Sequence, residues 1–164
     1  MKIKIPIRYI PYKLTNKDKQ KQKNMLVKSR KQYKQSKYFT RNKLKSFTSK
    51  PSKHIIKARK IYNITNIKPN KELSKKTGCS IKALKQIVKK GAGAYYSSGS
   101  RPNQTPQSWG YARLASSITA GKSAAVDFNI LENGCKHNGK AYKLATKAKK
   151  QYKFGQGKTK KITV

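Results

Sequence analysis

The residues of this chain best suited to chemistry are cations at helical spacing. Lys82, Lys85 and Lys89 fall three and four residues apart, so a helix carries them on one face, where each ammonium group can meet a phosphate. The run Lys71-Glu72-Leu73-Ser74-Lys75-Lys76-Thr77-Gly78-Cys79-Ser80-Ile81 ahead of them has helix-turn-helix grammar. Leu73, Leu84 and Ile87 supply its apolar contacts, Gly78 its tight turn and Ser74 a small residue. Only Gln86 on that face suits the reading of a base edge; lysines position a protein on a backbone without specifying sequence. Arg101, Arg113 and Lys122 complete the candidate anion-binding set, Arg101 and Arg113 being set either to pair with Asp127 or to hold an anion.

Other chemistries are poorly served. The only carboxylates are Asp18, Glu72, Asp127 and Glu132, which argues against an acidic metal enzyme. Asp127 and Glu132 lie five apart on an expected helix and so do not face one another. Ser97, Ser98 and Ser100 have no His and carboxylate in triad order and no nucleophile elbow. Gly121-Lys122-Ser123 is like the end of a phosphate-binding loop, but Ser116 stands where that pattern needs glycine, and a helix end is the better account. His54, Cys79, Cys135 and His137 lack the two close pairs of a tetrahedral zinc site. The expectation is a non-enzyme with no metal, cofactor or small-molecule substrate. Cys79 and Cys135 read as two buried thiols of a reducing interior rather than a disulfide framework, with their pairing left open.

The elements that must position these residues are set by charge. Among 164 residues, 42 Lys+Arg face 4 Asp+Glu, a net charge of +38. That much like charge opposes compaction until an anionic partner neutralises it. Residues 1–70 hold 22 cations against one acid, residues 71–140 hold 12 against three, and residues 141–164 hold eight against none. The expected fold is therefore mainly α: a small helical domain over residues 70–140, a long extended basic arm over 1–69, and a basic helix and tail over 141–164. In the arm, Ile3, Ile5, Ile7 and Tyr9 alternate at strand period. Pro6 confines that strand to an edge or to a partner's sheet. No apolar run approaches the ~20 residues needed to cross a bilayer.

Within the middle segment, Asn70 caps a helix over Lys71–Thr77, and Ser80 caps a second over Ile81–Lys90 that Gly91 ends. A loop follows over Gly91–Asn103, in which Gly91 and Gly93 supply permissive backbone and Tyr95 and Tyr96 cover the Trp109 helix. Thr105-Pro106 opens that helix, running to Ala120 with Gly121 as its stop and Trp109, Ala112, Ala115 and Ile118 buried. A fourth helix over Ala124–Asn133 buries Val126, Ile130 and Leu131, and a basic helix spans Ala141–Tyr152.

The run from Lys89 through Gly91-Ala92-Gly93-Ala94-Tyr95, Arg101-Pro102 and Trp109-Gly110-Tyr111-Ala112-Arg113 to Asp127 and Leu131 resembles a small domain of unknown function. That domain recurs in proteins of nucleocytoplasmic large DNA viruses and, more distantly, tailed phages. Its pattern is a helix, Gly-x-Gly-Ala-Tyr, Arg-Pro, a Trp-x-x-Ala-Arg helix and a final helix containing Asp; the match covers residues 79–135. The resemblance implies a viral origin and a place in the virion, in its capsid or interior, after assembly in host cytoplasm or nucleus. It transfers no catalytic residue. The expected function is a non-enzymatic minor or internal capsid protein whose basic arms bind capsid subunits and anionic surfaces. Its partners are then other virion proteins, DNA or another polyanion, or an anionic inner membrane. The alternatives are a packaged DNA-binding or DNA-condensing protein and a ribosome-like RNA-binding protein.

Overall fold

The structure is a computed structural model that describes residues 2–153 and 159–164. The described residues form eight α-helices and one two-stranded sheet, so the chain is mainly α. None of the described helices is long and apolar enough to cross a membrane. The chain divides into two units, each built from separated stretches: residues 2–50, 92–109 and 159–164 in one, 51–91 and 110–153 in the other. The expected boundaries at 69/70 and 140/141 do not coincide with these units.

The first unit corrects the expected arm, because residues 2–50 are folded rather than extended. Ile5 is fully buried in β1 (Lys4–Pro6). This strand pairs antiparallel with β2 (Lys161–Thr163), Ile5 opposite Ile162 and Pro6 opposite Lys161. Pro6 does sit on an edge strand, but the partner strand comes from the chain's own C-terminal end. Ile7 and Tyr9 leave the strand for a 3₁₀ turn, which leaves Ile7 exposed. α1 (Asn16–Lys34) begins where the Thr15 hydroxyl accepts the Asp18 N–H, and buries Gln22, Met25, Leu26 and Ser29 along one stripe. Half of that stripe is polar and is satisfied internally, as burial requires. Gln22 Nε2 donates to the Tyr9 carbonyl at 3.1 Å, and Ser29 Oγ accepts Arg41 Nη1 at 2.8 Å.

Arg41 is the least expected member of this core, 7% exposed. Its guanidinium carbon lies 3.8 Å from the Tyr95 ring centroid. Nη1 also donates to the Tyr95 carbonyl at 2.9 Å and Nη2 to Ser100 Oγ at 2.8 Å, while the Arg41 N–H donates to the Tyr95 hydroxyl. A ring face and neutral oxygens thus stand in for a counter-ion. Burial lowers the Arg41 pKa and raises that of Tyr95. The Trp109 ring is met by Tyr9, edge-on at 5.9 Å. Tyr96 instead stacks on Tyr33 and meets Tyr38 edge-on.

The second unit holds α2 (Lys53–Tyr62), α3 (Lys71–Thr77), α6 (Lys122–Val126), α7 (Phe128–Gly134) and α8 (Lys140–Gln151). It also holds residues 81–91 of α4 (Ile81–Ser97) and 110–117 of α5 (Pro106–Ser117). Its core joins Leu73, Leu84, Ile87, Leu114, Ile118 and Leu131 to the alanine face of α8. α4 does not stop at Gly91 as expected; it runs through Gly91 and Gly93, and the loop begins only at Ser98. Gly91 serves a close approach instead. A Cβ on it would lie 2.6 Å from Gly110 Cα, and one on Gly110 would lie 2.6 Å from the Val88 carbonyl oxygen. α5 opens at Thr105-Pro106 with a reciprocal cap, the Ser108 N–H on Thr105 Oγ1 and the Thr105 N–H on Ser108 Oγ. It ends at Ser117, short of the expected Ala120, and Ala120 rather than Gly121 takes the left-handed backbone. The helix expected over Ala124–Asn133 is two, α6 and α7, broken at Asp127. That break turns Val126 out to 48% exposure and brings Phe128 in. Residues 154–158 of the expected C-terminal tail lie outside the described residues.

Candidate nucleic-acid interface

The two helices either side of Gly78 begin where their caps place them. Asn70 Oδ1 accepts the Leu73 N–H at 2.8 Å and starts α3. Gly78 then takes φ 80°, a left-handed conformation that costs a side-chain-bearing residue dearly. Ser80 Oγ accepts the Ala83 N–H and starts α4. Within the turn, the Thr77 hydroxyl donates to the Leu73 carbonyl and accepts the Cys79 N–H, and the Ser74 hydroxyl donates to the Cys79 carbonyl.

The turn is also clamped from outside. The Ser80 N–H donates to the Gly134 carbonyl at 2.7 Å, and the Lys136 N–H to the Gly78 carbonyl at 2.8 Å. Between these bonds Cys79 and Cys135 are joined as a disulfide, which corrects the reading of two thiols. The sequence hides this because 56 residues separate the pair; the return of the chain after α7 brings them together.

With Leu84 and Ile87 fully buried, α4 exposes Lys82, Lys85, Gln86 and Lys89 on its opposite face. Lys85 and Lys89 border an open pocket together with Lys68 and Tyr111. Lys90, next in line, is drawn to Asp127 at 3.0 Å. Arg113 does not stay available for an anion: its Nε and Nη2 both reach Asp127 at 2.8 Å. Of the two roles open to it, pairing is the one adopted. Burial by itself pushes the Asp127 carboxyl up, but the Arg113 and Lys90 cations outweigh it and hold the group below its ordinary value. Lys122 opens α6 and is half-buried. Arg101 is exposed in a turn of the first unit, which does not contain Asp127. Lys82, Lys85 and Lys89 therefore form one face, while Arg113 is committed to Asp127. Sequence reasoning missed Lys68 and Tyr111: Lys68 stands in the loop ahead of α3, and Tyr111 fills an unspecified position of the Trp-x-x-Ala-Arg pattern, so only the fold brings them beside α4.

The described residues are mainly helical, and α4, which follows α3 across the Gly78 turn, carries a lysine face. The chain belongs to a family of unknown function (DUF5824), whose model matches residues 6–134. No curated protein and no solved structure matches it.

Proposed function

We propose that the protein is a non-enzymatic internal component of the virion of a large DNA virus that binds nucleic acid through the lysine face of α4. The observation that carries the binding is the row Lys82, Lys85 and Lys89, exposed on a helix whose other side is fixed by burial. Four carboxylates in the whole chain cannot neutralise 42 cations, so the charge needs an external polyanion. The virion setting rests on the resemblance in residues 79–135. Threading of an extended arm between capsid subunits forms no part of this reading, because residues 2–50 pack into the core of the first unit.

The test is a salt titration of the full chain on a random-sequence duplex. Each lysine on a phosphate contributes about 0.9 to the slope of log K against log salt. Changing Lys82, Lys85 and Lys89 to Gln together is expected to lower that slope by about 2 to 3 units. A slope identical to that of the unaltered chain removes α4 from the interface.

A further inference from the structure

The pocket beside α4 measures about 470 Å³ and lies wholly within the second unit. Its floor is apolar, made by Pro69, Val88 and the half-buried ring of Tyr111; its rim is cationic, made by Lys68, Lys85 and Lys89. No carboxylate lines it. Lys68 Nζ lies over the Tyr111 ring, 5.9 Å from its centroid, so a base that stacks there takes the place of the ammonium and leaves it free to meet a phosphate. Lys85 and Lys89 are successive rungs of one helix face, about 6 Å apart along its axis.

A bare inorganic anion has no use for an apolar floor with an aromatic ring. A ligand with a flat apolar part and flanking negative charge uses both features. The site is an open depression rather than an enclosed cleft, which suits a strand passing across the surface. We propose that this pocket is a nucleotide subsite for single-stranded nucleic acid: one base lies against Tyr111 and Val88 while its flanking phosphates meet Lys85, Lys89 and Lys68. Every base has a π face, so the subsite tolerates sequence, in keeping with a face that offers only Gln86 for reading base edges. The inference rests on the nucleic-acid reading above and adds the strand state and the residue that recognises it.

The experiment uses the full chain, a fluorescent oligothymidylate of about a dozen nucleotides and a blunt duplex of the same length. Tyr111→Leu keeps the apolar volume and removes the stacking face. It is expected to weaken oligothymidylate binding roughly tenfold while changing duplex binding less than about twofold. Tyr111→Phe is expected to bind as the unaltered chain does. Lys68→Gln is expected to lower the single-strand salt slope by about 0.7. Photocrosslinking of a halouracil-substituted oligonucleotide to the unaltered chain gives a readout independent of any variant's folding; crosslinks at Tyr111 support the subsite. Equal oligothymidylate affinity for Tyr111→Leu and the unaltered chain overturns it. So do crosslinks confined to residues outside the pocket, or competition by inorganic polyphosphate as strong as by oligothymidylate of equal charge. If the unaltered chain binds neither strand nor duplex, the nucleic-acid reading itself fails; binding to both with a silent Tyr111 removes the subsite alone.

Discussion

Asp127 gathers two side-chain ion pairs, receiving Arg113 twice and Lys90 once while fully buried. Its carboxyl is held below the ordinary value when folded, so as pH falls the unfolded chain takes up the proton first. The stability this cluster supplies is therefore complete above about pH 4 and is lost as pH drops through the folded pKa. Asp18, lowered by the Ser46 hydroxyl and N–H, acts in the same direction. The urea midpoint is expected to stay level from about pH 7 to 5 and fall below about pH 4. Asp127→Asn should cost about 3–5 kcal/mol at neutral pH, because it strands the Arg113 charge, and should flatten the acid limb. An equally steep acid limb in the variant would assign the pH dependence elsewhere. At this scale the sequence shows the Asp127–Arg113 pairing as one of two options, since few acids are available to choose from. Arg41 is invisible in it: nothing in a run of lysines says which cation will find a ring face instead of water.

Elements were legible where caps announce them and illegible where burial is polar. Asn70, Ser80 and Thr105-Pro106 fix three helix starts by side-chain geometry that needs no tertiary context. α1 escaped because Gln22 and Ser29 occupy half of its buried stripe, so no apolar period appears. Glycine was ambiguous in kind: a stop and a close approach use the same letter. Gly91 and Gly93 test the distinction. Within a helix, Gly→Ala ordinarily gains about 1 kcal/mol. At Gly93 the nearest atom to an added Cβ is Tyr33 Oη at 4.0 Å, so Gly93→Ala should raise the melting temperature. At Gly91 the Cβ would meet Gly110 backbone at 2.6 Å, and Gly91→Ala should cost about 1–3 kcal/mol and lower it. Shifts of the same sign in both would dissolve the argument. The Cys79–Cys135 bond closes a separation of 56 residues. On the chain-entropy account its reduction costs about 4 kcal/mol. Urea midpoints with and without reductant should differ accordingly, while the Cys79→Ser, Cys135→Ser double variant should ignore reductant.

For the whole molecule the governing fact is the charge of +38 on 164 residues. Each unit has an apolar core, and the second also has a disulfide, which charge density did not foretell. Folding nevertheless draws the cations closer than the unfolded chain does, so self-repulsion is a standing cost that ions relieve. Raising salt from about 10 to 200 mM shortens the screening length from roughly 30 Å to below 8 Å and should therefore raise the melting temperature. A bound polyanion does this more efficiently, because it neutralises fixed positions and binds the folded state in preference. At about 100 times its Kd, duplex DNA at low salt should add about 2.7 kcal/mol, or roughly 5–10 °C for a chain of this size. That gain should shrink as salt rises and releases the duplex. The two arms run in opposite directions: salt alone stabilises, and salt in the presence of DNA withdraws the stabilisation the DNA gave. A melting temperature indifferent to both would mean that the folded chain carries its charge without strain, and the requirement for an anionic partner would go with it.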